Sequence, residues 1–213
     1  MLHYIGNDIV DLTENGKAGK QSDKRFVSRV FTDKERHMII KGPDSGKILW
    51  LLWACKEAAY KAALKIRRNI LWAPSKYEVQ LSDELSENDM YGTVDTPHER
   101  ITIEIHSDPT FIHCIGSSGN SGNLRSITKG VARLPRAESS SDLSKAVRKA
   151  IIESLATCTG KEKDDISIFR QPGSRGLGPP FVKIGGNTVP IDISMSHDGS
   201  FVAYAHTALR SSL

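Results

Sequence analysis

At 213 residues the chain is long for one compact domain and short for two ordinary ones. Apolar residues at 38% and charged residues at 25% exclude a disordered tail, and a net charge of +4 hints at an anionic partner without requiring nucleic acid. Three scattered cysteines (Cys55, Cys114, Cys158) give neither a disulfide framework nor a zinc site, no apolar run is long enough for a membrane span, and no secretory pattern opens the sequence, so the expectation is a reduced, cytoplasmic protein.

Residues 5–12 read as a short strand, followed by a polar, Lys- and Gly-rich stretch. Phe26, Val27, Val30 and Phe31 suggest one helical turn with an apolar face, and Thr32 followed by Glu35 is a capping-box pattern opening a second helix. Gly42 to Gly46 break it. The strongest signal is residues 48–66, apolar almost all round and so predicted to be buried. Its polar exceptions, Glu57, Lys61 and Lys65, recur every four residues as one stripe, with Lys56 beside it. Strands are expected at residues 77–81, 101–105 and 111–115, a linker at 117–126, and a strand near residues 130–134. A helix capped by Ser141 or Asp142 should cover about 143–157, with strands at 165–169, 181–184, 191–195 and 201–206.

Residues 101–116 (ITIEIHSDPTFIHCIG) align without a gap on residues 191–206 (IDISMSHDGSFVAYAH). Ile101/Ile191, Ile103/Ile193, Asp108/Asp198 and Phe111/Phe201 are identical, and a strand preceded by a helix lies upstream of each hairpin. The polar residues do not repeat. This predicts an α+β protein of two similar α/β halves related by a pseudo-twofold, with residues 1–116 as the first half, 117–126 as linker and 127–213 as the second.

Three clusters could carry chemistry. Gly6-Asn7-Asp8-Ile9-Val10-Asp11 puts acids on a buried strand, where they are either strand-end residues or ligands to a cation. Lys56-Glu57-Ala58-Ala59-Tyr60-Lys61 is either a solvated Glu-Lys pair or a charged stripe aimed at a site. Ser194-Met195-Ser196-His197-Asp198 is either a plain turn or a phosphate clamp. Carboxylates on separate elements, with phosphate and water completing the shell, suit Mg²⁺, while Lys and His⁺ neutralise phosphate charge. GNSGN at Gly119 lacks the lysine and the strand–helix context of a phosphate loop.

Five segments in order resemble the 4′-phosphopantetheinyl transferases, chiefly their short, holo-(acyl carrier protein) synthase class: GNDIVD (from Gly6), RFVSRVFTDKE (Arg25 to Glu35), KEAAYKA (Lys56 to Ala62), a Gly-x-Pro turn at Gly178-Pro179-Pro180 and the SMSH hairpin (Ser194 to His197). The resemblance implies that fold and a Mg²⁺-dependent transfer of phosphopantetheine from coenzyme A to a serine of an acidic acyl carrier protein, releasing adenosine 3′,5′-bisphosphate. It gives Asp8 and Glu57 as metal ligands, Glu57 and Lys61 as catalytic residues, and Ser196, His197, Lys56, Gly178 and Pro180 as contacts to coenzyme A. Nucleic acid and membrane are not expected partners. The length suits the long, pseudo-dimeric class, the motif order suits the short class, and Val10 stands where the long class has a second acid. The alternative is a non-catalytic CoA- or nucleotide-binding module on the same scaffold.

Overall fold

A computed structural model describes residues 3–85, 88–119, 124–135, 139–173 and 176–208. Strand β1 (Ile5–Asp11) is buried along its whole length. Three helices follow. Helix α1 (Lys24–Val30) starts at Asp23, whose carboxylate accepts from Phe26 N at 2.9 Å. Helix α2 (Asp33–Lys41) has the expected capping box, with Thr32 N donating to Glu35 Oε2 at 2.8 Å. Helix α3 (Ser45–Ile66) begins three residues before the apolar run, because Asp44 caps it by accepting from Lys47 N at 2.9 Å.

Strands β2 (Glu78–Leu85), β3 (Asp89–Asp95), β4 (Arg100–Ser107) and β5 (Phe111–Ser117) complete an antiparallel sheet in the order β1-β5-β4-β3-β2. The sequence reading lacked β3: its alternation is polar and interrupted by Gly92, so it carries little period-2 signal. Helix α3 lies across β1 and β5 over a core of Leu49, Leu52, Ala58, Ile101, Ile103 and Ile105, all 0% exposed. Gly6 makes that approach possible. A Cβ there would stand 2.0 Å from Ala58 O and 2.7 Å from Ala62 N, so a larger residue would push the strand off the helix.

The second half runs β6 (Thr128–Arg133), α4 (Ser140–Thr159), β7 (Ile166–Gly173), β8 (Gly176–Ile184), β9 (Asn187–Thr188), β10 (Ile193–Asp198) and β11 (Phe201–His206). It forms two three-stranded sheets, β10-β11-β6 and β7-β8-β9. Ser139, rather than Ser141 or Asp142, caps α4 by accepting from Asp142 N at 3.2 Å. Residues 178–180, expected as a turn, lie in strand β8, with Pro180 opposite Arg170. Proline is tolerated because β9 pairs only with Lys183 and Ile184, which leaves this stretch of β8 an edge. The two long hairpins share a register: Ile103 faces Gly116, and ninety residues on, Ile193 faces His206.

The free edge of β1 meets β10. Ile5 N donates to Asp192 at 2.6 Å, Asn7 N to Ser194 Oγ at 2.9 Å and Asp11 N to Asp198 at 2.8 Å. The two strands advance together, so the side chains of β10 and its approach satisfy main-chain donors that no strand covers. Asp11 returns a bond, accepting from Ser200 N at 2.8 Å across the β10–β11 turn. Gly199 in that turn has φ +53°, and a Cβ on it would meet the Asp11 carboxylate at 2.2 Å. Of the expected linker, residues 120–123 lie outside the described residues. At its ends Ser117 closes β5, and Leu124, 1% exposed, packs with Ile5, Ile115, Ile127 and Ala205.

Candidate functional site

Two clefts open where β1 and β10 meet. One, of about 360 Å³, is lined by Asp8, Lys61, Ser144, Val147, Arg148, Arg170, Leu177, Met195, Ser196 and His197. The other, of about 310 Å³, is lined by Asp8, Ile9, Val10, Lys17, Phe26, Trp50, Trp53, Glu57, His197 and Asp198. Asp8 and His197 belong to both and form the ridge between them.

Each cluster singled out in the sequence reaches this place from a different element. Asp8 is on β1. Lys61 on α3 reaches it, its Nζ donating to Asp8 Oδ1 at 2.7 Å and to Asn7 O at 3.0 Å. Burial nonetheless raises the Asp8 carboxyl above its ordinary range, opposed by Lys61 and assisted by Asp198. Glu57, one turn before Lys61, is pushed up to about 7, first by burial and then by the charge of Asp8. Among the described residues no hydrogen bond or contact ion pair holds the Glu57 carboxylate. Two hard carboxylates, Asp8 and Glu57, thus line one cleft, a donor set that fits a divalent cation such as Mg²⁺. No cluster of three or more His, Cys, Asp or Glu side chains forms a metal cage among the described residues.

From β10, Ser196 lines the first cleft and accepts from Asn7 Nδ2 at 2.9 Å. His197 lies 3.2 Å, Nε2 to Oγ, from Ser144 on α4. Burial and the nearby Lys61 charge lower its pKa, against the pull of Asp198. Behind them Asn7, 0% exposed, also stands 3.2 Å from His113 Nε2. Desolvation drives that imidazole down to about 3, so it stays neutral.

Lys56 requires correction. It faces neither cleft: it is 0% exposed and pairs with Glu35 Oε2 at 2.7 Å, donating also to Pro74 O at 2.9 Å and to Tyr77 O. Glu57 and Lys61 of the same motif line the clefts, whereas Lys56 turns to Glu35 on α2 and to the carbonyls of Pro74 and Tyr77. Gly178 and Pro180 do not line either cleft, although their neighbour Leu177 does. Conversely, the sequence reading missed Arg148, Arg170 and Ser144 in the first cleft, and Lys17, Trp50 and Trp53 in the second. Arg148 and Arg170 crowd each other, and partial burial together with the Arg148 charge lowers the Arg170 guanidinium. Two such cations beside Lys61 and His197 suit a ligand with several anionic groups.

A mixed α/β frame whose cleft joins paired carboxylates to a cationic wall is built to handle phosphate groups. The family model described as the 4′-phosphopantetheinyl transferase superfamily matches residues 4–125, and the chain belongs to that superfamily. It is similar to the holo-[acyl-carrier-protein] synthase of Bradyrhizobium diazoefficiens, with 32% identity over 77 residues, 34% of this chain and 55% of that protein. The protein of the same name from Rhodopseudomonas palustris (strain TIE-1) is 30% identical over 77 residues, 34% of this chain and 53% of its own length. The chain thus spans about half the length of the curated relatives it matches.

Proposed function

We propose that the protein transfers the 4′-phosphopantetheine group of coenzyme A to a serine of an acyl carrier protein and releases adenosine 3′,5′-bisphosphate. The observation that carries this reading is the meeting of Asp8, Glu57, Lys61, Ser196 and His197 at two adjoining clefts, with the Glu57 carboxyl raised to about 7 by burial and held by no hydrogen bond or contact ion pair among the described residues. A general base is most effective when its pKa lies near the working pH. Glu57 would take the proton of the carrier serine as its oxygen attacks the phosphorus bearing the pantetheine ester. The bond that breaks joins this phosphorus to the bridging oxygen. Lys61, Arg148 and Arg170 face the cleft on the leaving side and would neutralise the charge that collects on the departing nucleotide. Ser196 and His197 would hold phosphate oxygens. Asp8 and Glu57 would hold Mg²⁺, which when bound supplies charge neutralisation at the pyrophosphate. The positive net charge of +4 is compatible with an acidic carrier. The names of the relatives support the same partner.

We further read the chain as one fold used twice, with residues 1–116 and 127–213 as its halves. The matched hairpin registers support this, as do the strand orders β1-β5-β4 and β6-β11-β10. In that correspondence Cys114, which faces Asp8, answers to Tyr204, which faces Gly130. The counterpart position therefore has no carboxylate, and one site per chain is expected.

The test is to incubate the chain with coenzyme A, Mg²⁺ and a panel of apo carrier proteins and to weigh the carriers by mass spectrometry. The expected result is a gain of one phosphopantetheine on at least one carrier, absent with Glu57→Ala. Tight binding of one coenzyme A without transfer to any carrier would favour a non-catalytic binding module. Two equivalent sites per chain would refute the single-site reading.

A further inference from the structure

The chemistry proposed above leaves two buried polar side chains unused. Asn7 on β1 is 0% exposed and His113 on β5 is 4% exposed. Each is costlier to bury than an apolar residue of similar size. The scaffold does not demand them. In the correspondence between the halves proposed above, Asn7 answers to Lys129, which pairs with Glu104, and His113 answers to Ala203. The polar pair therefore belongs to the half that carries Asp8, Glu57 and Lys61.

The Asn7 amide meets two acceptors at once. Its Nδ2 donates to Ser196 Oγ at 2.9 Å and stands 3.2 Å from His113 Nε2, while its Oδ1 has no partner among the described residues. Turning the amide over would strand two N–H donors in place of one oxygen, the costlier state. An N–H meets Nε2 only at its lone pair, so His113 is the neutral tautomer with its proton on Nδ1. Desolvation, which drives this imidazole down to about 3, agrees with that state. The Ser196 hydroxyl then accepts on its Asn7 side, and its one proton is left to donate elsewhere. Ser196 lines the first cleft, and among the described residues its hydroxyl has no other hydrogen-bond partner.

We propose that His113 is a positioning residue: as a fixed acceptor on β5 it holds the Asn7 amide in one orientation, and Asn7 turns the Ser196 hydroxyl proton toward the phosphate groups of coenzyme A. This rests on the function proposed above and adds to it a residue that never touches the ligand. A hydroxyl can donate or accept, and one aimed beforehand loses no freedom when the anion binds. With the proton on Nε2 instead, the amide would present its oxygen, the serine proton would be spent on Asn7, and lone pairs would face the phosphate.

A double-mutant cycle on the full-length chain reads this coupling. Wild type, His113→Phe, His113→Gln, Ser196→Ala and His113→Phe combined with Ser196→Ala are each titrated calorimetrically with coenzyme A, with urea midpoints measured alongside. His113→Phe keeps a ring, removes the acceptor and should weaken coenzyme A about fivefold. His113→Gln offers an amide oxygen in place of Nε2 and should stay within about twofold of wild type. In the Ser196→Ala background His113→Phe should cost nothing further, because no hydroxyl is left to orient. The same loss in that background would overturn the proposal, since His113 would then act through the fold alone. A His113→Phe variant that binds like wild type would overturn it too. Nitrogen NMR of the imidazole-labelled wild-type chain tests the same point should His113→Phe not fold: the proton is expected on Nδ1, and a proton on Nε2 would sink the positioning role. A wild-type chain that binds no coenzyme A would instead refute the underlying function, whichever tautomer is found, so the two failures are distinguishable.

Discussion

Helix α3 carries two lysines little more than one turn apart, Lys56 and Lys61, and each meets a carboxylate at 2.7 Å. Their surroundings differ completely. Lys56 and Glu35 are both 0% exposed, and burial pulls the ammonium below its ordinary range while Glu35 raises it. The remaining lone pairs and protons are also used: Glu35 Oε1 accepts from Val79 N at 2.9 Å, and its other oxygen accepts from Thr32 N. That pair is a closed polar knot tying α2 and α3 to β2. Lys61 keeps 30% of its side chain exposed, beside a cleft, and its partner Asp8 is raised rather than settled by burial. One pair is satisfied internally, whereas the other carries unspent charge. The lesson is that identical residue types at identical distances separate into framework and chemistry by whether every donor and acceptor already has a partner.

The sharpest break in this comparison is Glu57→Gln, which should lower holo-carrier formation by about 10³-fold, read by mass shift, if Glu57 is the base. Next, Lys56→Ala should destabilise the fold by about 3–5 kcal/mol in urea titration, because it strands a buried carboxylate. Lys61→Ala should change stability by about 1 kcal/mol or less while lowering turnover about a hundredfold. If Lys61→Ala unfolds the chain as Lys56→Ala does, the distinction between the two pairs fails.

The raised Glu57 also predicts a pH effect on stability. Its carboxyl titrates near 4.5 unfolded and at about 7 folded, so the folded state binds the proton more tightly. Stability should therefore fall as pH rises through that window, by about 3 kcal/mol in metal-free buffer, and level off above it. Glu57→Gln should flatten this slope and be the more stable protein at pH 8. The smallest effect concerns Asn7, whose side-chain bond to Ser196 crosses from β1 to β10. Asn7→Ala and Ser196→Ala should each weaken coenzyme A binding, and the double variant should lose about 1 kcal/mol less than their sum.

Much of this was legible beforehand. The buried α3 announced itself by its all-round apolar character, the α2 capping box by Thr32 and Glu35, and the paired hairpins by matching alternation. Asp8, Glu57, Lys61, Ser196 and His197 do converge. The misreading of Lys56 has a plain cause: its partner Glu35 is on another helix, and local spacing carries no trace of it. Arg148 sits on α4 in a half-buried position that looks like any solvated helix charge. Trp50 and Trp53 read as ordinary core, since an aromatic residue lining a cleft has the same periodicity as one sealed beneath it. Residues 178–180 were misjudged because Gly-Pro-Pro signals a turn locally, and only the incomplete pairing of β8 leaves room for it in a strand.

The seam along β1 has a consequence for association between chains. A five-stranded sheet ending in a fully buried strand would offer an unpaired main-chain edge, a template on which another copy could add a strand. Asp192, Ser194 and Asp198 cap three of those donors with side-chain oxygens, and the Asp198–Ser200 turn locks onto Asp11. Because no continuous ladder is formed, the edge is blunted without being extended. The same residues that frame the site thereby also guard the chain against edge-to-edge aggregation.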